Sequence, residues 1–216
     1  MTHPSINSLN TMSLELILGP MFAGKTSALQ SIIRRHEALS IKCIAYKPIL
    51  DNRQGSEDFM HTHDGTKVPA HRTESLTIHL YTKDYHDAKL IIIEEGQFFP
   101  DLYKFVIYAV ETDNKNVIVA GLDGDRFRKP FGEILQLIPI ADRVTKLTSL
   151  CKLCADGTPA LFSYCATNST DTVHVGGGDI YVSLCRKHYL RCVNLDKPRC
   201  VKLDKPHLSA DNSPKR

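Results

Sequence analysis

The stretch LELILGPMFAGKT, residues 14–26, decides the fold. Leu14, Leu16, Ile17 and Leu18 have the composition of a short buried strand. Gly19-Pro20-Met21-Phe22-Ala23-Gly24-Lys25-Thr26 follows and fits G-x-x-x-x-G-K-[ST] at every fixed position. Residues 27–39 then read as a helix, with Leu29, Ile32, Ile33 and His36 on one face. Strand, glycine-bounded loop and helix is the order in which this motif forms a phosphate cradle. The glycines let backbone N–H groups turn inward around an anion, and the helix N-terminus adds partial positive charge. Lys25 is placed to reach the β- and γ-phosphates of a nucleoside triphosphate, and Thr26 to set its hydroxyl on Mg²⁺.

Outward from this stretch, residues 41–46 read as a second strand ended by Lys47-Pro48, which completes a βαβ unit and implies a parallel sheet. Residues 51–66 are polar and without periodicity, and a loop this long beside a phosphate site is more often functional than idle. His61, His63 and His71 lie in or near it. They read as exposed loop histidines, with a second metal site as the alternative. Residues 74–85 are a poor helix candidate. Leu90-Ile91-Ile92-Ile93 is a β-branched strand ending in Glu94-Glu95, the Walker B arrangement, in which a carboxylate holds Mg²⁺ directly or through water. Two adjacent acids supply both a metal partner and a base, although charges capping a strand would look the same in isolation.

Residues 102–111 form a helical pattern of core residues, and 116–122 a further buried strand. The loop 123–132 that follows lies at the carboxyl end of a strand, where open α/β sheets bind ligands. Residues 144–150 read as the last sheet strand. Beyond them the texture changes to short strand-like pieces at 160–164 and 172–175, then Gly176-Gly177-Gly178, where backbone can approach a ligand closely. Cys151-x-x-Cys154 and Cys185-x-x-His188 are each spaced for one tight turn. In a chain without a secretion signal they read together as a tetrahedral Zn²⁺ site rather than disulfides. Cys43 reads as a strand core residue, whereas Cys165, Cys192 and Cys200 have no assignable role.

Composition narrows the function classes. Among 216 residues 42% are hydrophobic, enough for a substantial core, and no apolar run is long enough for a membrane span. The first residues lack a basic region followed by an apolar one, so a cytoplasmic protein without membrane association is expected. The formal charge of +3 resides in residues 193–216, where six Lys/Arg stand against three Asp. The remainder is neutral, without the footprint of a nucleic-acid partner. The expected organisation is a tail at 1–12, an α/β domain at 13–150, a zinc-clamped module at 151–192, and a disordered basic tail at 193–216 carrying Leu-Asp-Lys-Pro twice.

GPMFAGKT, IIIEEGQFF, AGLDGDRFRKPFG, CKLC, HVGGGDIY and CRKHY occur in the order and spacing of the zinc-bearing thymidine kinases, the tetrameric cytosolic and viral kind. The chain resembles that family over residues 13–192. The resemblance implies a P-loop NTPase fold of the RecA-like type, a parallel sheet with helices on both faces, plus a small zinc-clamped β-hairpin and lasso. It implies transfer of the ATP γ-phosphate to the 5′-hydroxyl of thymidine, with deoxyuridine as a further acceptor. Glu95 matches the catalytic carboxylate; Lys25, Thr26 and Glu94 match the triphosphate and Mg²⁺ side; Asp51 and Arg53 match loop residues near the phosphates. Gly19 to Thr26 and Gln97 complete the nucleotide-binding set. Met21, Phe98, Leu122 and Phe131 match walls of the nucleoside pocket, and Ser163, Val173, Val175, Gly176 and Tyr181 match the lasso that holds base and sugar. Zn²⁺ on Cys151, Cys154, Cys185 and His188 would be structural. A homotetramer and feedback by dTTP are likewise implied.

Two positions depart from the family pattern. Members usually carry Asp-Glu where this chain has Glu94-Glu95. They also tend to have an aromatic residue where Arg126 stands here with Phe127 next, so either the loop shifts by one residue or the pocket wall differs. A zinc-ribbon ATPase driven by nucleic acid shares the phosphate loop and zinc pairs, but residues 151–190 hold only Lys152, Arg186 and Lys187 as cations and no basic stripe. A catalytically dead scaffold would lack the lysine or the base, and Lys25 and Glu95 are both present.

Overall fold

The computed structural model describes residues 12–50, 58–61, 67–165 and 180–194. In chain order these form β1 (Ser13–Leu18), α1 (Lys25–Glu37), β2 (Cys43–Pro48), β3 (Phe59–His61), β4 (Lys67–Pro69), β5 (His71–Thr73), α2 (Lys83–Asp87) and β6 (Leu90–Ile93). Then come α3 (Leu102–Ile107), β7 (Asn116–Gly121), β8 (Arg143–Lys146), β9 (Ser149–Leu150), β10 (Pro159–Ala160), β11 (Phe162–Cys165), β12 (Tyr181–Leu184) and α4 (Arg186–Asn194). Three-residue 3₁₀ turns stand at Thr77–His79 and Gly96–Phe98, and a longer one at Ile134–Ile140.

The central sheet has six strands in the order β5-β2-β6-β7-β1-β8, every pair parallel. Parallel strands buried on both faces read as continuous apolar runs, and alternate residues divide between two cores. Leu14, Leu16, Leu18, Ile91, Ile93, Val117 and Val119 face one core, which α3 and the 3₁₀ turns cover through Phe105, Val106, Leu76, Ile134 and Leu137. Ile17, Leu90, Ile92, Ile118 and Ala120 face the other, covered by Leu29 and Ile33 of α1. Each such fully buried aliphatic side chain contributes about 1.5–3 kcal/mol.

Several expected elements arrive altered. The segment 74–85 forms a 3₁₀ turn and the short α2 rather than one helix. The helix expected at 102–111 is α3 continued by a π-helical turn over Tyr108–Thr112. The strand expected at 144–150 divides: β8 adds to the sheet edge beside β1, whereas β9 turns away to pair antiparallel with β10. Residues 58–61 and 67–73 contribute the β3–β4 hairpin and the edge strand β5, which a reading by periodicity could not find in three-residue strands. No helix among the described residues is long and apolar enough to cross a membrane.

Beyond β8 lies a second, smaller core of Cys151, Ala160, Val182, Leu184, Cys185, Tyr189 and Cys192. Its centre is the antiparallel pair β11–β12, in register Phe162↔Leu184, Ser163↔Ser183, Tyr164↔Val182 and Cys165↔Tyr181. The two faces of this pair differ. Val182 and Leu184, with Phe162 and Tyr164, pack into the small core. Cys165 and Tyr181 turn the other way and meet Met21 and Leu122 at the edge of the main sheet. The expected strand at 172–175 falls outside the described residues.

Candidate active site

Strands β6, β7 and β1 are neighbours, and each ends in one of the loops singled out by sequence. After β1 the chain turns through Gly19, φ +151°, and Phe22, φ +62°, to Gly24, φ +81°, the left-handed residue that caps α1. A Cβ at Gly19 would lie 2.6 Å from the Leu147 carbonyl oxygen, so only glycine lets the loop leave the sheet there. The first turn of α1 carries no acidic side chain, while Arg34, Arg35 and His36 sit in its last turn. The helix thus puts no acid of its own at its positive end, an arrangement that suits an external anion. Lys25 is buried, its Nζ donating to the carbonyls of Gly19, 3.1 Å, and Pro20, 2.9 Å, which keeps the ammonium inside the curl of the loop.

Thr26 meets the acidic pair. Its Oγ1 donates to Glu94 Oε1 at 2.6 Å, joining the loop after β1 to the end of β6. Glu94 and Glu95 are both buried, yet their backbones diverge, because Glu95 adopts φ +51°, ψ +46°. The left-handed residue turns the chain into the 3₁₀ turn and sends the two carboxylates to different partners. Glu95 Oε2 accepts from Gln97 Nε2 at 2.6 Å, and Gln97 Oε1 accepts from the Leu122 N–H at 2.9 Å. The buried Gln97 side chain thus ties Glu95 to the loop after β7.

The loop after β7 is pinned in register. Asp125 Oδ1 accepts from the N–H groups of Phe127 and Lys129, both at 2.8 Å, and Tyr189 of α4 donates its hydroxyl to the Arg126 carbonyl at 2.6 Å. Arg128, φ +66°, lies 4.8 Å over the Tyr189 ring and 5.7 Å over Phe162. Phe127 is half exposed, so it forms no buried wall in place of the missing aromatic at 126. Phe98 and Phe131 meet edge to face at 5.3 Å, and Met21 clusters with Leu122 and Tyr181. Ser163 Oγ accepts the Met21 N–H at 2.9 Å. Asp51, Arg53, Val173, Val175 and Gly176 lie outside the described residues. Sequence reasoning missed Arg128, Ser183 and Tyr189, whose contacts cross from one part of the chain to another and leave no local pattern. It also missed Asp125, whose bonds to Phe127 and Lys129 are local but carry no motif of their own.

Cys151, Cys154, Cys185 and His188 converge, their ligand atoms all within 4.8 Å of one another. His188 Nδ1 lies 3.4, 3.3 and 3.5 Å from the sulfurs of Cys151, Cys154 and Cys185, and Cys154 Sγ lies 3.8 Å from Cys185 Sγ. Tetrahedral Zn²⁺ with its usual bond lengths requires ligand separations of about 3.5–3.8 Å, so this donor set fits that ion. The first pair sits on the turn between β9 and β10, and the second spans the start of α4, with Cys185 just before it and His188 in its first turn. Burial works to raise the Cys151 thiol. Backbone N–H groups of Cys185, Cys154 and Leu153, with the His188 ring, outweigh it and bring the thiol down to about 6. Burial and the neighbouring Cys151 and Cys185 push Cys154 up to about 11, because adjacent thiolates repel until a cation joins them.

A family model described as thymidine kinase matches residues 12–189. The chain is 44% identical over 181 residues to a thymidine kinase of Oryza sativa subsp. japonica, covering 82% of this chain and 66% of that one. It is 40% identical over 181 residues to thymidine kinase a of Arabidopsis thaliana, covering 82% and 75%. It is also 40% identical over 182 residues to the thymidine kinase of Vaccinia virus (strain Western Reserve), covering 84% and 99%. The match begins at β1 and ends inside α4, taking in all three loops and the four clustered ligands, and the chain therefore belongs to the thymidine kinase family.

Proposed function

We propose that this protein transfers the γ-phosphate of ATP to the 5′-hydroxyl of thymidine, giving dTMP, with deoxyuridine as a second acceptor. The observation that carries the reading is the pair of bonds Thr26–Glu94 and Glu95–Gln97, which set two adjacent carboxylates to different tasks beside one phosphate loop. The loop N–H groups, the α1 N-terminus and the Lys25 ammonium receive the triphosphate. Thr26 and Glu94 present the oxygens that would hold Mg²⁺, which when bound neutralises charge on the β- and γ-phosphates. Glu95 orients the 5′-hydroxyl and takes its proton as that oxygen bonds to the γ-phosphorus. The bond to the bridging oxygen breaks and ADP leaves.

Met21, Phe98, Leu122, Phe131, Ser163 and Tyr181 serve as the described part of the nucleoside pocket. Asp51 and Arg53 would add to the phosphate side, and Val173, Val175 and Gly176 to the base side. The cysteine–histidine cluster holds Zn²⁺ in a structural role, since four protein ligands leave no open position. Family membership supports a cytoplasmic homotetramer subject to dTTP feedback. Light scattering during gel filtration and dTTP inhibition curves test those two properties.

The deciding experiment is ADP release with Mg·ATP and each deoxynucleoside in turn, for wild type and Glu95→Gln. Thymidine-dependent turnover is expected, reduced about 10²- to 10⁴-fold by the substitution while ATP binding persists. Turnover unaffected by Glu95→Gln would move the base elsewhere, and no nucleoside-dependent turnover in zinc-replete protein would overturn the reading.

A further inference from the structure

Met21 stands in the middle of the phosphate loop, and both of its backbone polar groups are taken by the second module. Its N–H donates to Ser163 Oγ at 2.9 Å, and its carbonyl accepts from Ser183 Oγ at 2.7 Å. Ser163 and Ser183 are direct cross-strand partners in β11–β12, so their side chains project from the same face. Both serines are buried, and the sequence separations to Met21 are 142 and 162 residues. The loop peptide therefore lies over one face of the hairpin, held by one hydroxyl from each strand.

Ser183 is also fixed from behind. Its carbonyl accepts from the Lys152 N–H at 3.0 Å, inside the Cys151-x-x-Cys154 turn. Cys185 follows two residues later, and Leu184 between them is fully buried in the small core. Two hydrogen bonds and one residue thus connect the metal-ligand turn to the phosphate loop. A hydroxyl at 183 is otherwise costly in a strand whose four residues are all buried.

We propose that Ser183 is a positioning residue for ATP: it transmits the placement of the cysteine-clamped module to Met21 and so sets the curvature of the phosphate loop. The proposal rests on the reading of residues 19–26 as the site of the ATP phosphates. Without the Ser183 hydroxyl the Met21 carbonyl loses its partner, the peptide between Met21 and Phe22 rotates more freely, and N–H groups converge less well on the triphosphate.

The test uses the full zinc-replete chain as wild type, Ser183→Ala, Ser183→Cys and Ser183→Thr. Mg·ATP affinity is measured by calorimetry, alongside KM and kcat, zinc content and thermal unfolding. Alanine should weaken ATP binding about 5- to 30-fold, the range set by one lost buried hydrogen bond, with zinc content unchanged. Threonine, which keeps the hydroxyl, should restore affinity. Cysteine, close in volume but a weak donor, should behave as alanine does, and it carries the test if the alanine variant does not fold. Unfolding at lower temperature with ATP affinity within twofold of wild type would make Ser183 merely structural and overturn the proposal. A threonine variant as defective as alanine would also overturn it. Wild-type protein that binds no Mg·ATP would overturn the phosphate-loop reading itself, whereas wild type that binds ATP without accepting thymidine would overturn only the nucleoside assignment.

Discussion

Gln97 shows how a single side chain can govern an acid it does not replace. It holds Glu95 with one end of its amide and the Leu122 N–H with the other. The Gln97 backbone packs closely on Gly132, φ +60°, where an added Cβ would collide with the Gln97 carbonyl oxygen. Backbone cannot yield as a flexible side chain can, so Gly132→Ala should displace the turn Gly96–Phe98 and carry Glu95 with it. We expect a loss of about 2–4 kcal/mol in urea unfolding, combining left-handed strain with overpacking, and a fall in kcat. Gly24 is the control: φ +81° is equally left-handed, but a Cβ there meets nothing within 4 Å. Gly24→Ala should cost about 1–2 kcal/mol, the strain alone. Equal costs at the two positions would remove Gln97 from the explanation. At this scale the sequence exposes residues that belong to contiguous motifs, such as Lys25 and Glu95. It conceals those that act across the fold, and neither Gly132 nor Ser183 has a neighbour that betrays its contact.

Elements were legible in proportion to their burial. β1, β6 and β7 are sandwiched between two cores, and their apolar runs mark them within a residue or two of their true ends. β8 is an edge strand whose Val144 is 43% exposed, so its pattern carries little signal and its end at Lys146 was hidden. The segment 74–85, a poor helix candidate by sequence, is broken into two short turns for a related reason: it is held by a side chain far along the chain rather than by its own periodicity. Asp101, at the start of α3, accepts from Ser75 Oγ at 2.6 Å, Thr77 N at 2.8 Å, Thr77 Oγ1 at 2.9 Å and Leu76 N at 3.2 Å. Burial works to raise the Asp101 carboxyl, but these donors prevail and hold it below its ordinary 3.8. A depressed carboxylate contributes stability that is present above the unfolded value and lost as pH falls through the lower folded value. Asp101→Asn should therefore destabilise the protein by about 1–2 kcal/mol at neutral pH. The gap in unfolding temperature should narrow as pH drops below 3.8. A gap that stays constant into acid would mean that charge on Asp101 contributes nothing to the tie.

At the scale of the molecule, the proposed function draws its phosphate loop and acids from the main sheet and one wall of its pocket from the hairpin beside the smaller core. That core has few large side chains beside the cysteine–histidine cluster, so on the proposed zinc site its cohesion should depend on the ion more than that of the sheet's cores does. Removing the metal should therefore act locally at first. With Zn²⁺ chelated, or in Cys154→Ala, amide exchange should quicken in β11, β12 and α4, and then at Met21 through the two serines, while β6 and β7 keep their protection. Cys192→Ala separates packing from ligation, since Cys192 is buried in the same core without belonging to the cluster. It should retain zinc and lose only about 1 kcal/mol. Exchange that rises equally in β6, β7 and β12 after chelation would mean that the module and the sheet unfold as one body. In that case the division near residue 150, placed by the change of sequence texture, would mark a change of architecture without a change of cooperative unit. Exchange confined to the hairpin and the phosphate loop would instead make the metal cluster the stability source for one wall of the active site, with Met21 as the point where the two parts meet.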